Sequence, residues 1–224
     1  MPVLDLFDDE SKARLHASKP KPQRLRSAFT NLTPAAEKED GPLVLRESDR
    51  GIDVTPEGIE QLKQDESSGR NYLSVYKDPK GLRTIGHGFN LDAPDNKADF
   101  IKVTKLNAQQ FEEVREGKRQ ITVEQQHALL EHEIAQAEGE TKKLFPEYDQ
   151  YAPAVQDVLT NLVFNMGLSV FGQFKNTIAA IKARDGDAAA ARLLKSRYAK
   201  QVGPRAERIA EVLREQLVKG PVAP

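Results

Sequence analysis

The chain has 224 residues, a formal net charge of −1 at pH 7 and no cysteine. That length is enough for one large domain or two small ones with a packed core. The absence of cysteine excludes a disulfide scaffold, a zinc finger, a cysteine nucleophile and an iron–sulfur protein. The near-neutral charge does not favour nucleic acid as a partner, and no apolar run approaches the roughly 18 residues of a membrane span. The acidic N-terminus lacks the layout of a signal peptide, so we expect synthesis in a cytoplasm.

Residues 1–53 differ in composition from the rest of the chain. They hold five of the 13 prolines, and residues 11–36 contain six basic residues and no acidic one. This composition predicts an extended N-terminal arm. Three interpretations stay open: a disordered tail, a basic segment that binds an anionic polymer, or a docking segment for other proteins. In the docking interpretation, the apolar anchors are Leu4, Leu6 and Phe7.

Regular patterning begins after this arm. Thr55 followed by Pro56 is typical of a helix start, with the threonine as N-cap. Ile59, Leu62 and Glu66 follow at helical spacing, which predicts that they share one face of this helix.

Extended chain comes next. Residues 72–77 alternate in the manner of a strand, and Asp78 begins a segment, Asp-Pro-Lys-Gly, that is typical of a type I turn. Residues 82–91 resume extended chain, interrupted by Gly86 and Gly88. Together these features predict a small β-hairpin sheet.

Everything after about residue 95 has a helical pattern. We expect helices over about 99–106, 108–116, 123–143, from Pro153 onward, and over about 174–184, 187–199 and 204–218. The predicted class is therefore α+β, mainly α, in two lobes joined by a long helix.

The predicted catalytic part of the chain is residues 54–224. We place the N-lobe at about 54–121, the linking helix at about 122–144 and the C-lobe at about 145–220. Charge divides along this layout, because residues 54–149 carry a net charge of −5 and residues 150–224 a net charge of +5. A cleft between the lobes would have one acidic and one basic wall, or the two charges would simply favour association of the lobes.

Glu66 and Asp78 are the first candidates for chemistry. Glu66 lies at the end of a helix on an apolar face, where the helix dipole and burial would both raise its pKa. Such a group suits a general acid, although most glutamates at helix ends are solvated. Asp78 lies in the next turn, and two carboxyl groups flanking a cleft are what glycoside hydrolysis requires. The alternative for Asp78 is a purely local role in starting the turn.

Thr84 and two glycines follow on the second strand. The Thr84 hydroxyl could hold a water molecule in the cleft, or the residue could be there for its β-propensity alone. Gly86 and Gly88 would let a ligand approach the backbone closely, or they could mark a bulge or kink.

These residues fall in segments that resemble the active-site region of the T-even phage lysozymes, the phage endolysin-type muramidases. The first segment contains Glu66, Val75-Tyr-Lys-Asp78 and Gly81-Leu-Arg-Thr84-Ile-Gly86-His-Gly88. Four further segments resemble the C-terminal lobe of the family, in the same order: Asn161-Leu-Val-Phe164-Asn-Met-Gly167, Phe174-Lys-Asn-Thr177, Lys195-Ser-Arg-Tyr198 and Pro204-Arg205-Ala206. The resemblance covers about residues 55–218 and leaves the arm outside it.

The resemblance implies a two-lobed lysozyme fold and an enzyme that needs neither metal nor cofactor. It implies that Glu66 is the general acid, that Asp78 is the second carboxylate and that Thr84 places the attacking water. Arg205 would reach Glu66 from the C-lobe. The walls of the cleft would be lined by Gly88, Leu91, Phe164 and Thr177.

The implied substrate is bacterial peptidoglycan, cleaved with inversion at the β-1,4 bond between N-acetylmuramic acid and N-acetylglucosamine. Such an enzyme would be made in the host cytoplasm and act in the periplasm or cell wall. It would act either in host lysis or from the virion, attached to other phage proteins through residues 1–53. A lytic transglycosylase and a virion protein that only binds glycan are the alternatives.

Two departures from the family pattern stand out. The interval between Glu66 and Asp78 is about three residues longer than in the family, which bears on whether the reaction inverts or retains configuration. The usual histidine after the second glycine is replaced by Phe89, and His87 lies between the glycines instead. We interpret His87 as a packing or cleft-edge residue, and the four histidines are too dispersed for a metal site.

Overall fold

A computed structural model describes residues 51–217, so nearly all of the predicted arm lies outside the described range. The described part contains ten α-helices and one small sheet. The helices are Pro56–Ser67 (α1), Asn96–Thr104 (α2), Ala108–Arg115 (α3), Val123–Leu144 (α4), Pro153–Met166 (α5), Leu168–Phe171 (α6), Lys175–Lys182 (α7), Gly186–Lys195 (α8), Arg197–Val202 (α9) and Pro204–Gln216 (α10). The predicted class, α+β and mainly α, is confirmed.

The sheet has three antiparallel strands, where the sequence predicts a two-stranded hairpin. Its strands are Tyr76–Lys77 (β1), Arg83–Ile85 (β2) and Phe89–Asn90 (β3), in the order β1-β2-β3. The second extended segment folds back on itself at residues 86–88. Gly86 and Gly88 have φ values of 62° and 111°, which residues with side chains rarely adopt. The two glycines therefore turn one expected strand into two short ones.

Two separate hydrophobic cores underlie the two lobes. The smaller core combines the sheet with α2, α3 and the start of α4, and its buried residues are Ile85, Phe89, Leu91, Phe100, Phe111, Val114, Ile121 and Leu129. The larger core joins α5 to α10 with the second half of α4. Ile59 and Leu62 of α1 belong to this larger core. Helix α1 thus precedes the sheet in sequence but packs with the helical lobe.

The start of α1 is fastened to α5. Asp157 accepts hydrogen bonds from the backbone N–H and the hydroxyl of Thr55, at 2.8 Å and 2.6 Å. The same hydroxyl accepts from the N–H of Gly58 and caps the helix. A Cβ on Gly58 would lie 2.6 Å from Asp157 Cγ, so only glycine allows this close approach.

The chain just before α1 is also held. The Asp53 N–H donates to Glu138 of α4 at 2.8 Å, and Lys142 binds the Asp53 carboxylate at 2.6 Å. Val54 is buried in the larger core. Asp53 is therefore fixed to α4 by a hydrogen bond and an ion pair, although it lies before the start of α1.

The long helix α4 and the end of the chain follow the predicted pattern with one break. Thr122 and Gln125 form a capping box at the start of α4. The expected helix over 187–199 is two helices, because Ser196 has extended backbone angles and its hydroxyl caps α9. Within residues 51–217, no helix is long and apolar enough to cross a membrane.

Candidate active site

Glu66 lies in the last turn of α1. Ser68 caps the end of the helix with a left-handed φ of 53°, and Gly69 continues the turn with a φ of 71°. The N–H groups of Ser68 and Gly69 donate to the carbonyls of Gln64 and Lys63. The extra residues between the two candidate carboxylates therefore begin as a helix C-cap. The Glu66 side chain is only 2% exposed.

Arg205 reaches Glu66 from the helical lobe. Its Nη1 donates to Glu66 Oε1 at 3.2 Å, and the arginine itself is buried. Pro204 and Arg205 begin α10, directly after Gly203, whose φ is 54°. A buried carboxyl group is harder to ionise, whereas a guanidinium at this distance favours the ionised form. Glu66 is subject to both effects.

Asp65 adds a second carboxylate to this contact. Its side chain is 6% exposed and lies 3.1 Å from Arg205 Nε. Arg208, one turn further along α10, also binds it. Asn161 of α5 accepts from Arg205 Nε at 3.0 Å and donates to Asp65 at 3.4 Å. The last turn of α1 is thus joined to α5 and α10 by a network of charged and amide groups.

Asp78 lies in the turn between β1 and β2. Its Oδ1 accepts from the N–H groups of Lys80 and Leu82, at 2.8 Å and 2.9 Å. Its backbone is bonded within the same turn, to Gly81 and Leu82. The turn chemistry foreseen from the sequence therefore occupies Oδ1. No described residue is hydrogen-bonded to Oδ2, which is left for another partner.

Thr84 lies at the centre of the sheet, opposite Tyr76 on one side and Asn90 on the other. It is buried, and its hydroxyl donates to the carbonyl of Leu82 at 3.2 Å. This bond uses the hydroxyl proton and leaves the oxygen able to accept. Asp78 and Thr84 therefore belong to one small sheet and its first turn, whereas Glu66 lies in the last turn of α1.

The four predicted lining residues are divided between the lobes. Gly88 lies in the β2–β3 turn, and Leu91 directly follows β3 and belongs to the smaller core. Phe164 lies on α5 in the larger core, and Thr177 is buried on α7. All four are buried among the described residues. Their role in binding substrate stays a prediction.

His87 is a buried residue, 4% exposed, at the tip of the β2–β3 turn. Its Nδ1 lies 2.8 Å from Ser67 Oγ and its Nε2 lies 2.8 Å from Gln126 Nε2. Its ring also stacks on His127, with 6.4 Å between centroids. Among the described residues, no three metal-ligating side chains lie together.

Four residues of this region carry no role in the sequence analysis: Asp65, Gln126, Asn161 and Arg208. The sequence contained signals that could have pointed to two of them, Arg208 and Asp65. Arg205 and Arg208 are three residues apart on one helix, so they share a face, and Asp65 is the direct neighbour of Glu66. Gln126 offers no such signal, because it looks like an ordinary polar residue of α4 until the fold brings His87 to it.

Comparison with known proteins identifies the family. The family model described as phage lysozyme matches residues 67–211. The chain belongs to the phage lysozyme family. The match begins one residue after Glu66, so Asp65 and Glu66 lie outside it, and the case for Glu66 rests on its geometry and on the motif around it.

Two relatives of this phage lysozyme family member match different shares of its length. The pre-baseplate central spike protein Gp5 of Enterobacteria phage T4 is 27% identical over 188 residues, which cover 82% of this chain and 32% of the spike protein. A probable T4-type lysozyme 2 of Dictyostelium discoideum is 26% identical over 168 residues, which cover 71% of this chain and 95% of that lysozyme. The chain thus spans about a third of the length of the spike protein.

Proposed function

We propose that this chain is a muramidase, a glycoside hydrolase that cleaves the β-1,4 bond between N-acetylmuramic acid and N-acetylglucosamine in bacterial peptidoglycan. Membership of the phage lysozyme family supports this activity. The observation that carries the proposal is the environment of Glu66. A carboxyl group that is 2% exposed, in the last turn of a helix and 3.2 Å from a buried guanidinium, is arranged for proton transfer rather than for solubility.

In the proposed reaction Glu66 donates its proton to the oxygen of the leaving sugar. Burial helps to keep the group protonated beforehand, because it disfavours the charged form. After the transfer, Glu66 is a carboxylate, and the guanidinium of Arg205 offsets its negative charge. Arg205 therefore stabilises the form of Glu66 that exists after the proton has been transferred.

Asp78 and Thr84 act on the other reactant, the water. Asp78 Oδ1 is held by two backbone N–H groups, which fixes the carboxylate in place and leaves Oδ2 for the reaction. The Thr84 oxygen can accept a hydrogen bond from a water molecule, because its own proton is given to Leu82. A water held by these two groups would attack the anomeric carbon and give a proton to the Asp78 carboxylate, while the bond to the leaving oxygen, protonated by Glu66, breaks.

The first test of this function is digestion of purified peptidoglycan. We expect the full chain to clear the suspension and to release soluble fragments with new reducing ends. If the protein bound the polymer and formed no new reducing ends, it would be a glycan-binding module, and the proposal would be contradicted.

We further propose that the enzyme is carried in a virion. Residues 51–224 are 174 of the 224 residues, about 78% of the chain, so the 82% matched by the spike protein reaches into the first 50 residues. The match to the probable T4-type lysozyme 2 covers 71% and needs no such extension. This difference supports an attachment role for residues 1–53, alongside the catalytic part.

Truncation tests that role. Because Asp53 is bound to Glu138 and Lys142, the deletion should end before Gly51. We expect a chain of residues 51–224 to digest purified peptidoglycan as well as the full chain and to be missing from purified phage particles. Loss of digestion in the shorter chain would show that the arm belongs to the catalytic part instead.

A further inference from the structure

A continuous chain of hydrogen bonds runs behind Glu66. Ser67, the next residue and the last of α1, lies 2.8 Å from Nδ1 of His87. The other ring nitrogen of His87 lies 2.8 Å from Nε2 of Gln126 on α4. Three elements that are distant in sequence therefore meet at His87, which contacts the residue beside the proposed general acid.

One backbone N–H group determines which atoms are donors in this series of hydrogen bonds. The N–H of Tyr72 donates to Gln126 Oε1 at 2.7 Å, so the amide orientation of Gln126 is fixed. Its two amide hydrogens then go to Asn71 Oδ1 and to Nε2 of His87. His87 Nε2 must accept, so the ring is neutral and carries its proton on Nδ1.

The remaining bonds follow from that tautomer. The His87 Nδ1–H donates to Ser67 Oγ, and the Ser67 hydroxyl gives its own proton to the carbonyl of Lys63 at 2.9 Å. These three side chains are buried and their hydrogen bonds are mutually consistent. A Cβ on Gly86 would lie 3.2 Å from Gln126 Cγ, so the turn that carries His87 is packed tightly on α4.

The two sides of the last turn of α1 are therefore held by different lobes. Asp65 and Glu66 contact Arg205 and Arg208 of the helical lobe, whereas Ser67 contacts the turn between β2 and β3. That turn belongs to the sheet on which Asp78 and Thr84 lie. A link from Ser67 to the sheet thus sets the distance between the proposed acid and the groups that hold the water.

We infer that His87, in its Nδ1-protonated neutral form, is a positioning residue that fixes Glu66 relative to Asp78 and Thr84 through Ser67. The inference rests on the proposed muramidase function. It also assigns a role to a histidine that lies at a different position from the one usual in the family. A misplacement of about 1 Å at an active site can reduce the rate about 100-fold.

The test compares variants at the two ends of the His87–Ser67 bond. We expect Ser67→Ala and His87→Ala each to lower kcat on soluble peptidoglycan fragments by about 10-fold to 100-fold, with KM within about twofold. The double variant should lose no more than the worse single one, because both break the same link. His87→Asn should restore most of kcat, since its amide nitrogen can replace Nδ1 as the donor to Ser67.

Thr141→Val is the matched control. Thr141 is buried in α4, and its hydroxyl donates to the carbonyl four residues earlier, as that of Ser67 does. The control should lose thermal stability in the same range as Ser67→Ala and keep kcat. Wild-type kcat in Ser67→Ala and His87→Ala, measured below their unfolding temperatures, would overturn the positioning role.

Nitrogen-15 NMR of His87 in the wild-type full chain provides a measurement that does not depend on activity. We expect the proton on Nδ1 at neutral pH, opposite to the tautomer usual for free histidine. A proton on Nε2 would overturn the positioning proposal even if the enzyme is active. A wild-type chain that digests no peptidoglycan would instead refute the proposed function, and the positioning role with it.

Discussion

The last turn of α1 and the turn between β1 and β2 each present one carboxyl group, and they hold it in opposite ways. The Glu66 side chain is only 2% exposed, and its partner Arg205 is 139 residues away in the chain. Asp78 is held by N–H groups two and four residues away. One carboxyl group is therefore positioned by the fold as a whole, and the other by a few neighbouring residues.

This difference fits the two proposed roles. A general acid must stay protonated until the bond breaks, and burial favours that state. A group that orients water must stay charged and within reach of solvent, which a turn at the surface allows. The comparison predicts that Glu66 is sensitive to changes far away in the structure, while Asp78 is sensitive only to changes within its own turn.

Glu66→Gln should have the largest effect. Glutamine has nearly the same shape but cannot donate the proton that the leaving sugar needs, so kcat should fall by about 10²-fold to 10⁴-fold. The measurement is the rate at which new reducing ends appear, with thermal unfolding as the check on the fold. If Glu66→Gln retained the wild-type rate, Glu66 would not be the acid.

Asp78→Asn should have the next largest effect. Asparagine keeps an oxygen for the N–H groups of Lys80 and Leu82, so the turn is retained and only the negative charge is lost. We expect kcat to fall by about 10-fold to 100-fold. Asp78→Ala removes both features and serves as the comparison. If only the alanine variant loses activity, Asp78 is a turn residue and the charge has no part in the reaction.

Gly58→Ala tests how much the contact between the start of α1 and Asp157 of α5 stabilises the fold. The new Cβ would displace the Asp157 carboxylate from Thr55. We expect the free energy of unfolding to fall by roughly 1–3 kcal/mol, the value of hydrogen bonds to a charged group less the gain in helix propensity. Gly139→Ala in α4 is the control, because its Cβ meets nothing within 4 Å, and it should stabilise the protein by up to about 1 kcal/mol.

Asp92 provides a third carboxylate to compare with Glu66 and Asp78, because we assign it a role in stability and none in catalysis. Burial acts to raise the pKa of Asp92, but hydrogen bonds from Arg83 and Arg115 outweigh it and lower the pKa to about 2. The unfolded chain therefore binds this proton more readily, so stability should be lost as the pH falls from about 4 to about 2.

Asp92→Asn should remove that part of the acid dependence and lower the free energy of unfolding at pH 7 by roughly 1–2 kcal/mol. Asp149→Asn, at an exposed position, should change neither quantity. Chemical denaturation at several pH values measures both effects. If the free energy of unfolding of Asp92→Asn fell with decreasing pH as steeply as that of the wild type, the ion pair would not stabilise the fold.

Local patterns in the sequence were enough to predict much of this fold. Thr55-Pro56 and Thr122 mark helix starts through their own caps, and the Asp78 turn is made by four consecutive residues. The third strand and the break at Ser196 were missed for a physical reason. Two glycines can kink a strand or turn it back on itself, and one serine can lie within a helix or cap the next one. Packing against the rest of the chain decides between these states.

The candidate site also contains residues that the sequence reveals and residues that only the fold reveals. Glu66, Asp78, Thr84 and Arg205 are recognisable from motifs, but the contact between Arg205 and Glu66 joins two ends of the folded chain. The roles of Asn161 and Gln126 depend entirely on such contacts, because a buried amide and a solvated one look the same in a sequence. Gly58 is a further case, since its need for a missing Cβ arises only from Asp157.

The most direct test of the central claim is digestion of peptidoglycan in water enriched in oxygen-18, with mass spectrometry of the products. The account predicts that the wild-type chain forms reducing N-acetylmuramic acid ends that each carry one oxygen-18 atom, and that Glu66→Gln forms almost none. Anhydromuramic acid ends without oxygen-18 would mean that no water is used, and would contradict the roles given to Asp78 and Thr84.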